Sequence, residues 1–161
     1  MFTFIKSGIS IITLSLVYLI SCSSNVKVVE NIDDSAKAEI ISVKVNGKEN
    51  SYTFSVGIKS LDLGCKQYAN WWEVVSEDET LIYRRILGHS HVKEQPFIRS
   101  GGSIKIDKDQ VVVIRAHMNT SGYGVKAYRG SINNGFKPYL LKKDFAIGLE
   151  NKKPLPSGCA F

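Results

Sequence analysis

His89, His91 and His117 are the only imidazoles in the chain, and they fall within 29 residues of one another. His89 and His91 form an H-x-H pair. If one strand runs through both, their side chains share a face about 6–7 Å apart. A third imidazole, His117, arriving from a neighbouring strand would complete a three-nitrogen set suited to Zn²⁺ or Cu²⁺. Gln95 and Met118 lie close enough in sequence to serve as accessory groups. The plainer expectation is two loop histidines and one surface histidine. Gly88 interrupts the strand, and no carboxylate is spaced to orient the rings.

Two other groupings have chemistry to offer. Trp71, Tyr68 and Tyr83 are candidates for a flat aromatic platform under a sugar ring. The alternative is that Trp71 packs beneath the Leu61–Asn70 loop. Arg84, Arg85, Arg99 and Arg115 are suited to a carboxylate or phosphate. More commonly such arginines pair across a hairpin with acids, here Glu73, Glu77 and Glu79. Catalytic signatures are missing: the chain has no G-x-S-x-G, H-E-x-x-H, P-loop or dinucleotide fingerprint. Ser90 sits between two histidines, but a triad is made by geometry and not by adjacency. The chain therefore reads as a non-enzyme.

Its address comes from the N-terminus. Lys6 is followed by an apolar run ending at Ile20, which is the pattern of a secretory signal and is short for a spanning helix. Leu19-Ile20-Ser21-Cys22 then resembles the lipobox of bacterial lipoproteins. The resemblance implies a diacylglycerol on the Cys22 thiol, cleavage before Cys22, and acylation of the new amine. More than one chain is what stable anchoring requires. Ser23 after the cysteine resembles an outer-membrane address. With Cys22 lipidated, Cys65 and Cys159 remain of the three cysteines. They lack metal-type spacing and make an even pair for an oxidising compartment. A bridge between them would close 94 residues and stabilise by roughly 4–5 kcal/mol in the chain-entropy model.

At 161 residues, 43% hydrophobic and 22% charged, the chain is neither collagen-like, a coiled coil nor a disordered polymer. The expected organisation is a signal over residues 1–21, a polar tether over 22–38, a folded domain over 39–132 and a basic extension over 133–161. Net charge is +6, and beyond the signal it is one-sided. Residues 22–119 hold 13 basic and 13 acidic side chains, whereas residues 120–161 hold seven basic against two acidic. Export argues against nucleic acid as the partner. The membrane, reached through the lipid, and an envelope ligand are the expected ones.

The elements that must position these residues read as strands. Tyr52, Phe54, Val56 and Ile58 alternate with polar residues, the signature of a half-buried strand. A strand at 41–45 precedes it, with Asn46-Gly47 as the expected turn. Residues 71–76 and 81–87 form a hairpin around Glu77-Asp78-Glu79. Further strands are expected at 103–107, 110–118 and 125–132, and a helical turn at most near 146–149. Seven short strands favour an all-β, antiparallel two-sheet sandwich of immunoglobulin-like type, with a small β-barrel or jelly roll as the alternative. Trp72 and Val74 would point into the core, facing Val112, Ile114, Ala116 and Met118 on the opposite sheet. Arg115 and His117 then point outward.

The block from Gly64 to Met118 is similar to a group of exported bacterial proteins of no known activity. Tyr83-Arg-Arg-Ile-Leu-Gly-His-Ser-His-Val92, Glu94-Gln-Pro-Phe97 and Arg99-Ser-Gly-Gly102 carry that resemblance. The functional expectation is a lipid-anchored, non-catalytic binding or scaffolding protein of the envelope without a cofactor. Its alternative is a Cu- or Zn-binding lipoprotein using the three histidines.

Overall fold

The structure is a computed structural model and describes residues 36–160, with Met1 and Thr3 besides. The rest of the signal, Cys22 and the tether as far as residue 35 lie outside the described residues. Of the chain's two units, Met1–Asn31 and Ile32–Phe161, the second carries the β-structure.

Nine strands are described: β1 (Glu39–Lys48), β2 (Ser51–Lys59), β3 (Ala69–Ser76), β4 (Leu81–Ile86), β5 (Phe97–Ile104), β6 (Val112–Met118), β7 (Gly122–Tyr123), β8 (Lys126–Ser131) and β9 (Gly135–Leu140). One sheet has the order β1-β2-β5. The other has the order β4-β3-β6-β8-β9, with β7 also pairing β6. Every pairing is antiparallel. The two sheets pack face to face as a sandwich and do not close into a barrel.

Side-chain alternation explains the core. Tyr52, Phe54, Val56 and Ile58 of β2 face Trp72 and Val74 of β3 and Val112, Ile114, Ala116 and Met118 of β6. Each fully buried aliphatic or aromatic side chain of this kind contributes about 1.5–3 kcal/mol of transfer free energy. Phe54 meets the half-buried Phe136 edge to face, with ring centroids 5.5 Å apart. Along one margin the sheets are tied by side chains: Tyr128 Oη donates to the Ile41 carbonyl, and Lys126 pairs with Glu39.

Several sequence expectations change. β3 and β6 are neighbours in one sheet, not members of opposite sheets. Alternation reports which face a residue takes and is blind to which strand lies beside it. β6 is buried along its whole length because it is central and covered on both sides. The first turn is Glu49-Asn50, three residues beyond Asn46-Gly47, with Asn50 at φ 62°. β5 begins at Phe97, well before residue 103. β9 was hidden by Pro138, which an edge strand tolerates because one side of its backbone needs no partner.

The folded unit also outruns the 39–132 boundary at both ends. Ala38 is fully buried, and Ser121 Oγ donates to the Ala36 carbonyl. After β9 the chain returns across the outer face of the larger sheet as a strap. The strap contains the short 3₁₀ helix η1 (Ile147–Asn151) and ends in a Cys65–Cys159 disulfide with Cα atoms 5.6 Å apart. Val75, Ala146 and Leu149 form a second small apolar cluster beneath it. No helix among the described residues is long and apolar enough to cross a membrane.

Candidate functional site

The outward rows of β3, β4 and β6 are buried too. Register places Glu73 between Arg84 of β4 and Arg115 of β6, and Trp71 beside His117. Glu73 has no solvent exposure. Its Oε2 accepts from Arg84 Nε at 2.7 Å and its Oε1 from Arg115 Nε at 2.8 Å. The outer nitrogens of both guanidinium groups reach the strap. Arg84 donates to the carbonyls of Leu149, Lys152 and Pro154, and Arg115 to those of Phe145 and Ala146. The planar fork of arginine lets one cation hold a carboxylate and several carbonyls together. Such a set holds only while complete, because a buried charge left without its partner is costly.

Aromatic rings close the cluster. Arg84 lies 4.4 Å over the Trp71 ring, and Arg115 lies 3.5 Å over that of Tyr123. Burial and the Glu73 carboxylate push the Tyr123 hydroxyl up to about 12. His117 stacks on Trp71, with Nδ1 2.7 Å from Asn70 Oδ1 and Nε2 3.1 Å from Glu150 Oε1. Burial pushes its imidazole down to about 4. Glu150 pulls the other way, while Arg84 and Arg115 reinforce the fall. At neutral pH the ring is uncharged.

These positions correct three readings. The arginines offer no anion site: Arg84 and Arg115 share Glu73, Arg85 donates to the carbonyls of Ile86 and Ser100, and Arg99 pairs with Glu94. Glu77 pairs with Arg129 and not with a hairpin arginine. Trp71, Tyr68 and Tyr83 form no exposed platform. Trp71 and Tyr68 are buried, and Tyr83 lies opposite Val74, on the core side near Trp72. Trp71 does turn away from the core as alternation requires, and His117, Arg84 and Tyr123 pack around it.

The three histidines do not assemble into a Zn or Cu site. β6 is separated from β4 by β3, and His117 is held under the strap. His89 and His91 follow β4, with ring centroids 4.5 Å apart, and His91 stacks parallel on Phe97 of the facing sheet at 3.7 Å. Among the described residues no group of three or more His, Cys, Asp or Glu side chains is placed to hold a metal. The accessory candidates are also engaged elsewhere. Met118 is core, and Gln95 bonds to Ser60 and to the His91 carbonyl.

Asp62 was missed by sequence reasoning. It is buried and accepts from Ser60 Oγ at 2.7 Å, Ala69 N at 3.0 Å and His91 N at 2.7 Å. A lone Asp in a loop after a strand was the available signal, since such carboxylates commonly collect nearby backbone N–H groups. Asp62 fixes the 88–95 segment against the loop after β2. That segment borders a cavity of about 510 Å³ lined by His89, His91, Val92, Lys93, Glu94 and Ala160 among others. The His91 side chain is only 1% exposed, and neither ring nitrogen has a hydrogen-bond partner. Its Nδ1 lies 3.7 Å from Asp62 Oδ2, beyond bonding reach. Burial, with Arg99 and His89 nearby, holds the imidazole below its ordinary value.

Comparison with known proteins gives one informative match. A protein of Halomicrobium mukohataei named "Putative lipoprotein" is 38% identical to this chain over 74 residues. The match covers 46% of this chain and 36% of that protein, so the aligned part is about a third of the relative's length. No family model matches the chain, and no solved structure matches it.

Proposed function

We propose that this chain is a lipid-anchored protein of the cell envelope whose sandwich binds a small ligand and performs no catalysis. Cys22 is the lipidation site, Ser23 directs the protein to the outer membrane, and the cavity beside His89 and His91 is the ligand seat. The relative's name agrees with the lipobox. The Cys65–Cys159 bridge agrees with an oxidising compartment and leaves Cys22 as the remaining cysteine.

His91 carries the binding reading. A buried imidazole with two unsatisfied nitrogens is unfavourable, and few native polar groups stay that way without a cause. Both ring nitrogens are closed to solvent, so a ligand in the adjoining open depression of about 510 Å³ would satisfy one of them only by displacing part of the 88–95 segment. By contrast, Glu73, Arg84, Arg115 and His117 are engaged in holding the strap.

The mature chain with Cys22→Ser tests both parts. In detergent phase separation the parent partitions with detergent and the variant stays aqueous. Equal partitioning would overturn the anchor. For binding, the variant is titrated with muropeptides and with neutral glycans while the histidine imidazole resonances are followed. Saturable shifts of His89 and His91 with His117 unmoved are expected. An absence of shifts, or shifts elsewhere only, would overturn the seat.

A further inference from the structure

The segment that closes His91 off from solvent is fastened from two sides. On one side Asp62 accepts from His91 N at 2.7 Å, and Ser90 Oγ accepts from Gly64 N at 3.2 Å. The loop after β2 thereby grips the 88–95 segment. On the other side the end of the strap lies along residues 88 and 89. Ala160 N donates to the Gly88 carbonyl at 2.8 Å, and Ala160 and His89 form a parallel β-bridge. Ala160 is thus a wall of the depression beside His89 and His91.

What keeps Ala160 in place is covalent. Arg84 and Arg115 hold the carbonyls of the strap as far as Pro154. After Pro154 none of the described residues is buried, and Leu155 is exposed. Among the described residues, 155–160 are fastened to the domain by the Cys65–Cys159 bridge and the single bond from Ala160 to Gly88. One backbone bond is a poor match for the entropy that six released residues regain. Cys65 also belongs to the loop that carries Asp62, so the bridge joins the two grips on the 88–95 segment. Both cysteines are only partly buried, which leaves the bridge open to a thiol.

We propose that the Cys65–Cys159 disulfide is a redox latch on the His91 site. Oxidised, it holds the strap end on Gly88 and keeps the 88–95 segment shut. Reduced, it lets that segment lift and exposes the imidazole. The proposal rests on the ligand-seat reading for what enters, while the latch itself is tested without a ligand. The reductant is a dithiol. One of its thiolates attacks a sulfur of the bridge, and the other cysteine leaves as a thiolate and takes up a proton. The donor's second thiol then displaces the cysteine still attached, so the protein gains two thiols and the donor becomes a disulfide.

The mature chain with Cys22→Ser keeps only these two cysteines, so reduction acts on this bridge alone. Diethyl pyrocarbonate at neutral pH modifies accessible, uncharged imidazoles, and mass mapping reads each histidine. In the oxidised chain the exposed His89 should react, and the buried His91 and His117 should be slow. The chain is then reduced with dithiothreitol and freed of the reagent without air. His91 should now react at least about fivefold faster, the weight of one backbone hydrogen bond. The Cys65→Ser/Cys159→Ser variant should match it. His117 should stay slow, because Arg84 and Arg115 still hold the strap over it. Ala160→Pro, which cannot donate to Gly88, should speed His91 with the bridge intact. An unchanged His91 rate on reduction would overturn the latch. So would an equal rise at His117, which marks general unfolding, or no effect of Ala160→Pro. If His91 opens and muropeptides and neutral glycans still move no imidazole resonance, the ligand seat falls and the latch stands.

Discussion

Trp71 and His117 lie face to face, their ring centroids 3.7 Å apart and their planes within 8°. They are cross-strand partners on β3 and β6, pointing away from the core and yet buried beneath the C-terminal strap. The outer face of the larger sheet is thus a second interior, built from charges and rings instead of aliphatic side chains.

That interior makes stability depend on acid. The folded His117 is held near 4, below the ordinary 6.5, so the unfolded chain takes up the proton first. Stability should fall as pH drops from about 6.5 to about 4, by roughly 3 kcal/mol at 1.36 kcal/mol per pH unit. Urea unfolding at about pH 7.5 and about pH 4.5 reads the difference, which should shrink in His117→Gln. It should not vanish, because His91 is displaced in the same direction. An undiminished difference in the variant would show that His117 is not the responsive group.

Glu73→Gln should be the most damaging conservative change in the protein. It leaves Arg84 and Arg115 buried without their shared carboxylate, at a cost of about 3–5 kcal/mol. A drop in urea midpoint is expected, along with faster proteolysis in the strap. A midpoint close to the parent's would mean that the strap carbonyls alone satisfy both guanidinium groups.

Removing the Cys65–Cys159 bridge by Cys159→Ser frees the end of the strap. The 94-residue closure predicts a loss of roughly 4–5 kcal/mol. Chemical denaturation under oxidising conditions measures it. Under reducing conditions parent and variant should converge, and a gap persisting there would place the effect outside the disulfide.

Gly101 of β5 has no room for a side chain. A Cβ there would sit 2.6 Å from Tyr83 Oη and 3.0 Å from Trp72 Cζ2. Gly101→Ala should cost about 1–3 kcal/mol through overpacking. Adding Tyr83→Phe removes the nearest atom, so the double variant should be more stable than the two single losses predict. Additive losses would show that the contacts with the ring carbon Tyr83 Cε1, at 2.9 Å, and with Trp72 dominate.

Much of this was legible in local pattern. Alternation assigned Trp72 and Val74 inward and Trp71, Arg115 and His117 outward, because a pleated strand sends successive side chains to opposite faces. The hairpin around Glu77-Asp78-Glu79 and the short turn near Leu149 were legible for the same local reasons. The three-histidine set failed at the step that alternation cannot supply. His91 lies in the segment after β4 and His117 on β6, and β3 lies between β4 and β6.

Sequence by itself determined the strand-rich class, the inward and outward rows, the even count of two spare cysteines and the signal-like start. All of these follow from neighbours in the chain or from counting. Only tertiary structure decided that β3 and β6 are adjacent, that residues 141–160 return over the outer face, and that Glu73 lies between two arginines. Those facts depend on contacts between residues 11 to 94 positions apart. Such contacts are selected by the fit of whole surfaces, and no local period records them.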